Sequence, residues 1–183
     1  MASLNEGYLR GCKDGSGGVK SFWLFPWVKY SRKDIERNGI ELTAFPNNTI
    51  YKFEGNFSSS FTDAASFDKN GEKFDQTLNV TFTKMENTFY FENVREQLLR
   101  AVVLDNNGNY WLLGQDNGLR ATQYQKGTGS SKGELNGYTL ALSGSERLEA
   151  PYMSSIDILT GTGAKFDSTL ISWDSTLITF DSL

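Results

Sequence analysis

The sequence predicts a mainly β protein: an antiparallel β-sandwich or small barrel with one packed α-helix and an extended C-terminal tail. Short segments rich in Val, Ile, Thr and aromatic residues alternate apolar with polar side chains at period two. Asn-Gly clusters fall between them at hairpin spacing, and only one stretch shows helical periodicity. The 183 residues suit one domain with an appendage. The reading places a β domain with a Gly-rich lead-in at 1–151 and an acidic repeat tail at 152–183.

The elements follow in chain order. Gly7, Gly11, Gly15, Gly17 and Gly18 make an irregular lead-in. Residues 19–30 form an aromatic strand that Pro26 must end, bulge or confine to an edge, because proline cannot donate to a ladder. Residues 40–45 are a short strand closed by the turn Pro46-Asn47-Asn48, and the β pattern resumes over 49–55. The region 58–73 is either a long hairpin or a loop. Residues 77–84 alternate most cleanly, with Leu78, Val80 and Phe82 on one face and Thr77, Asn79, Thr81 and Thr83 on the other.

A helix is expected over 87–100. Phe91, Val94 and Leu98 share one face, and Glu92, Arg95, Glu96 and Arg100 occupy the other. Strands over 101–105 and 110–115 flank the αL-tolerant turn Asn106-Asn107-Gly108-Asn109. Asp116-Asn117-Gly118 is a second turn, leading to a strand over 119–125. A Gly/Ser loop at 127–133 precedes a last alternating strand around Tyr138, Leu140 and Leu142.

The tail repeats itself. Phe166-Asp-Ser-Thr-Leu-Ile-Ser is followed by Trp173-Asp-Ser-Thr-Leu-Ile-Thr, and Phe180-Asp-Ser-Leu begins a third copy. Adjacent Leu and Ile, with Ser, Thr and Asp between copies, fit extended structure better than a coiled coil. The tail either completes its own domain's sheet or lies across a neighbouring subunit as an added strand. It also holds the charge imbalance. Of 18 Lys and Arg and 22 Asp and Glu, residues 148–183 carry only Lys165 against five acids, leaving 17 of each sign before it.

Composition excludes much chemistry. With no His and one Cys, the chain has no Ser-His-Asp triad, Cys-His dyad, imidazole base, intrachain disulfide or Cys/His zinc site. Gly15-Ser-Gly-Gly-Val-Lys-Ser21 lacks the Gly-Lys-Ser/Thr junction and following helix of a phosphate loop. Asp105 and Asp116 sit beside Asn and Gly and read as turn residues, not as a catalytic pair. No calcium-loop spacing occurs. The sequons at Asn47, Asn56 and Asn79 are expected by chance in so Asn-, Ser- and Thr-rich a chain, and Cys12 has no His partner to activate it. Lys29, Arg32, Lys33 and Arg37 form the densest basic group. Asp34 and Glu36 interrupt it, so it reads as a solvated segment and not as a phosphate patch. No secretory signal and no membrane-spanning segment is expected, and no cofactor. Aromatics reach 14% without an active site to use them, which points to surfaces buried by other subunits. The candidate assembly residues are Phe57, Phe61, Phe67, Phe166, Trp173 and Phe180.

Three segments resemble a family of small phage virion proteins with tail-tube-like β folds. They are Gly11-Cys-Lys-Asp-Gly15 leading to Leu24-Phe25-Pro26; the hairpin Asp105-Asn-Asn-Gly-Asn-Tyr-Trp-Leu-Leu-Gly114; and Leu135-Asn-Gly-Tyr-Thr-Leu-Ala-Leu-Ser-Gly144 with Ser145-Glu146-Arg147 and Ala150-Pro151 after it. Together they cover residues 11–151. The resemblance implies stacked, usually hexameric rings around a lumen for transient DNA passage, contacts with other tail or neck proteins, and no catalytic residues. It implies a place in the virion after synthesis in the host cytoplasm. The period-seven tail departs from the family pattern. A head–tail connector or ring adaptor is the nearest alternative. Of another class is a carbohydrate-binding β-sandwich, with Trp23, Trp27 or Trp111 stacking on sugars. A hydrolase working by carboxylates alone comes third.

Overall fold

The computed structural model describes residues 15–54, 58–69, 71–83, 90–131 and 133–161. The strands are β1 Val19–Pro26, β2 Glu36–Asn38, β3 Glu41–Ala44, β4 Tyr51–Glu54, β5 Ser60–Asp68, β6 Gly71–Phe82, β7 Leu99–Asp105, β8 Tyr110–Leu113, β9 Arg120–Gly127, β10 Gly137–Glu146 and β11 Tyr152–Met153. Two short helices accompany them, α1 Tyr90–Glu96 and α2 Asp157–Thr160. One sheet has seven strands in the order β2-β3-β11-β8-β7-β1-β4, and the other has four in the order β5-β6-β10-β9. The protein is therefore mainly β, with two sheets packed as a sandwich. Among the described residues no helix is long and apolar enough to cross a membrane.

The core between the sheets follows from period-two alternation. Leu78 and Val80 of β6 pair with Leu142 and Leu140 of β10. Opposite them lie Phe22 and Leu24 of β1, Ala101 and Val103 of β7, and Leu113 of β8. Val94 of α1 closes one end of this cluster. The outward residues of β6 are polar, as the alternation predicts.

The larger sheet is buried on both faces, which explains the unbroken apolar runs of β1 and β7. Trp23 and Phe25 point away from the first core, with Val102 and Leu112, and meet Leu42, Phe45, Met153, Ile156 and Leu159. Residues 152–161 supply part of that second layer, and β11 lies between β3 and β8. This corrects the boundary expected at 151. The β domain extends to at least Gly161, and the period-seven repeat lies outside the described residues.

The helix also differs from expectation. It spans Tyr90–Glu96 and stops where Leu99 enters β7. Glu92, Arg95 and Glu96 are exposed as predicted, but Arg100 is 1% exposed, inside the strand. Helical spacing cannot register a strand that begins inside the periodic window. Pro26 ends β1, and the region 58–73 is a hairpin. One glycine is fixed by close approach: a Cβ on Gly137 would lie 1.8 Å from the Phe82 carbonyl oxygen, where β10 meets β6.

Candidate functional site

Two features stand out: a sheet edge with no strand on its outer side among the described residues, and a basic cavity. The edge is β5. It pairs with β6 over nine residue pairs, from Ser60↔Asn79 to Asp68↔Gly71. β10 follows β6 only as far as Glu146↔Phe74, so the pairs from Ser66↔Lys73 onward form a two-stranded tip beyond the rest of the sheet. Register puts Ala65, Phe67 and Phe74 on the face that carries Phe61 and Leu78 into the core. Phe67 is 77% exposed there.

The other three edges are protected. β2 has three residues. β4 carries Lys52 and Glu54, paired at 3.8 Å. β9 presents Arg120 and Lys126. β5 is long, contains no Lys, Arg or Pro, and its charges are limited to Asp63 and Asp68. Asp63 is occupied inward, its Oδ2 accepting from the Ala150 N–H at 2.6 Å. Such an edge offers unpaired backbone donors and acceptors to another strand.

Of the predicted assembly residues, Phe67 is exposed at this tip. Phe61 is half-buried and packs against Trp111 with ring centroids 6.1 Å apart, so it belongs to the protein's own core margin. Phe57, Phe166, Trp173 and Phe180 lie outside the described residues, as does Cys12.

The cavity encloses about 520 Å³. The segment after β1 supplies Lys29, Tyr30, Ser31, Arg32 and Ile35; β7 supplies Arg100; the turn after β8 supplies Gln115, Asp116 and Asn117; and Arg147 follows β10. Arg100 is held firmly. Its Nε donates to the Gln115 carbonyl at 3.1 Å and its Nη2 to the Val28 carbonyl at 2.7 Å. The guanidinium lies 4.8 Å from the Tyr30 ring centroid, 5.4 Å from Phe45 and 5.6 Å from Trp27. Among the described residues, its Nη1 is buried without a hydrogen-bond partner. Burial lowers its pKa to about 10, against the pull of Tyr30, Glu146 and Asp116, so it remains a cation at neutral pH.

The turn beside the cavity is organised by Glu146, 3% exposed. Its carboxylate accepts the backbone N–H groups of Asp116 at 3.0 Å, Asn117 at 2.9 Å and Gly118 at 3.1 Å. Burial raises its pKa and those donors oppose the rise. Arg37 crosses behind, its Nε and Nη2 donating to Gln115 Oε1. Burial lowers the Arg37 pKa, opposed by Asp116, Glu146 and Glu149. Sequence reasoning missed Arg100 and Glu146. The available signal was one charge inside each strand pattern, Leu-Leu-Arg-Ala-Val-Val and Leu-Ser-Gly-Ser-Glu, which implies a buried and satisfied ion.

Of the two carboxylates read as turn residues, Asp105 acts as one, whereas the turn at Asp116 is held by Glu146. Asp105 Oδ1 accepts from the N–H groups of Asn107 at 2.8 Å and Asn109 at 2.9 Å. Among the described residues no group of three or more His, Cys, Asp or Glu side chains is arranged to hold a metal ion. The proposed sugar platforms are largely occupied. Trp23 is buried, which removes it; Trp27 donates its indole N–H to the Asp116 carbonyl at 3.1 Å; Trp111 sits edge-on to Tyr152.

Comparison with protein-family models, with curated proteins and with solved structures finds no match to this chain.

Proposed function

We propose that the chain is a non-enzymatic structural subunit that self-assembles into rings or a tube, as in a bacteriophage tail or neck through which DNA passes. The observation that carries this reading is the contrast among the sheet edges. β2, β4 and β9 are short or charged, whereas β5 runs nine residues without a protecting cation or proline and ends beside exposed Phe67. A monomer gains nothing from such an edge and risks aggregation through it. A different segment of a second copy, laid along β5, would cover Phe67. That contact is head-to-tail, and its repetition closes a ring when the rotation permits, whereas β5 against β5 would stop at a dimer. The resemblance over residues 11–151 supports the same role and a hexamer, with tail or neck proteins as further partners. A head–tail connector uses the same contact at the neck.

Negative-stain imaging and light scattering of the full chain test this. Rings or tubes are expected. The double variant Ala64→Lys, Phe67→Asp protects the edge and should yield a folded monomer with unchanged circular dichroism. A wild-type monomer at tens of micromolar, or assembly that ignores the double variant, refutes the proposal. Deleting 162–183 leaves β11 and α2 in place; unchanged assembly would exclude the tail as a staple between subunits.

A further inference from the structure

Self-assembly leaves the cavity beside the 115–118 turn without a role. Four cations converge on it from three parts of the chain: Lys29, Arg32, Arg100 and Arg147. Among the described residues none is ion-paired with an acid. Asp116 lies in the wall and Glu146 nearby, so the site keeps a positive excess inside a protein of net charge -4. Linear density cannot show this cluster, because Arg100 and Arg147 join Lys29 and Arg32 only through the fold.

We propose that this cavity binds a small molecule bearing a phosphate group. The buried Arg100 is the second, independent sign. Its guanidinium is fixed by two carbonyls and three aromatic rings, yet Nη1 has no partner among the described residues. A buried donor of this kind normally has a partner, and an anion in the adjacent cavity would supply it after a small shift of the wall. Phosphate fits better than carboxylate. One bidentate arginine satisfies a carboxylate, whereas several cations from different directions suit a tetrahedral dianion. The volume, about 520 Å³, is in the range of small-molecule sites and exceeds what bare phosphate needs. Tyr30 and Ile35 give part of the wall an apolar surface for the organic part of the ligand.

Titration calorimetry on the full chain, with adenosine monophosphate and with pyrophosphate as probes, tests the site. About 150 mM salt screens loose surface attraction. Saturable binding of at least one probe, one per chain, is expected. Arg32→Ala and Arg147→Ala, both at exposed positions, should each weaken it about tenfold. Arg120→Ala, on β9 outside the cavity, should leave it unchanged. No saturable binding of either probe overturns the proposal. So does equal weakening by Arg120→Ala, which would mean diffuse charge attraction.

Discussion

Replacing Glu146 with Ala removes the acceptor of three backbone N–H groups at once. The Gly118 N–H is buried, and leaving it unpaired costs about 1–3 kcal/mol. Asp116 is half-buried and Asn117 exposed, so their N–H groups can turn to water, at about 0.5–1 kcal/mol each. The carboxylate's own burial is unfavourable, as its raised pKa shows, and losing it returns part of that cost. The expected net loss is about 2–4 kcal/mol. Glu146→Gln keeps an oxygen for Asn117 and Gly118 but sets an amide N–H₂ against the Asp116 donor, so it should lose roughly half as much. Urea unfolding followed by tryptophan fluorescence measures both. The sign of the pH dependence is a further check. The folded state holds the Glu146 proton more tightly than the unfolded chain. Its ionisation therefore opposes folding above the folded pKa, and acidification toward the ordinary value, about 4.3, removes that opposition. The Gln variant should lack this gain. A loss below about 1 kcal/mol in the Ala variant would refute the claim that Glu146 organises the turn.

Gly137→Ala should destabilise the fold by about 3 kcal/mol or more, since the new Cβ meets the Phe82 carbonyl oxygen at 1.8 Å and must part β6 from β10; thermal unfolding checks it. Asp105→Ala should cost about 1–2 kcal/mol through its lost hairpin hydrogen bonds, read by chemical denaturation. Burial pushes the Asp105 pKa up, but hydrogen bonds from Asn109 and Asn107 outweigh it and leave the pKa lowered. Its contribution is therefore complete above the unfolded value, about 3.9, and is lost as pH falls through the folded one, so the variant and wild type should converge in strong acid.

Much of the fold was legible because it rests on local rules. Asn106 to Asn109 and Asp116 to Gly118 are turns where their φ-tolerant residues stand. Leu78 with Val80, and Leu140 with Leu142, show the period that buries one face. The sheet order was not legible, because neighbours such as β3 and β11 are far apart in sequence and one of them has two residues. β11 shows no period at all; its place depends on Met153 filling space beneath Trp23 and Leu42. Phe67 was legible as an aromatic in polar surroundings. The cavity was not, since its cations come from three segments and Arg100 fell inside a helical pattern.

The position of β11 has a consequence for synthesis. Residues 152–153 lie between β3 and β8, so they join the β2–β3 pair to the rest of the seven-stranded sheet. Until they leave the ribosome, that pair has no strand partner linking it to β8, and Trp23, Phe25 and Val102 lack part of their cover. A late-made part of the β domain thus completes a sheet begun by the first, and long-range closure of this kind is slow. A nascent chain stopped before Tyr152 would expose an aromatic face, and chaperone binding should fall once Leu159 has emerged.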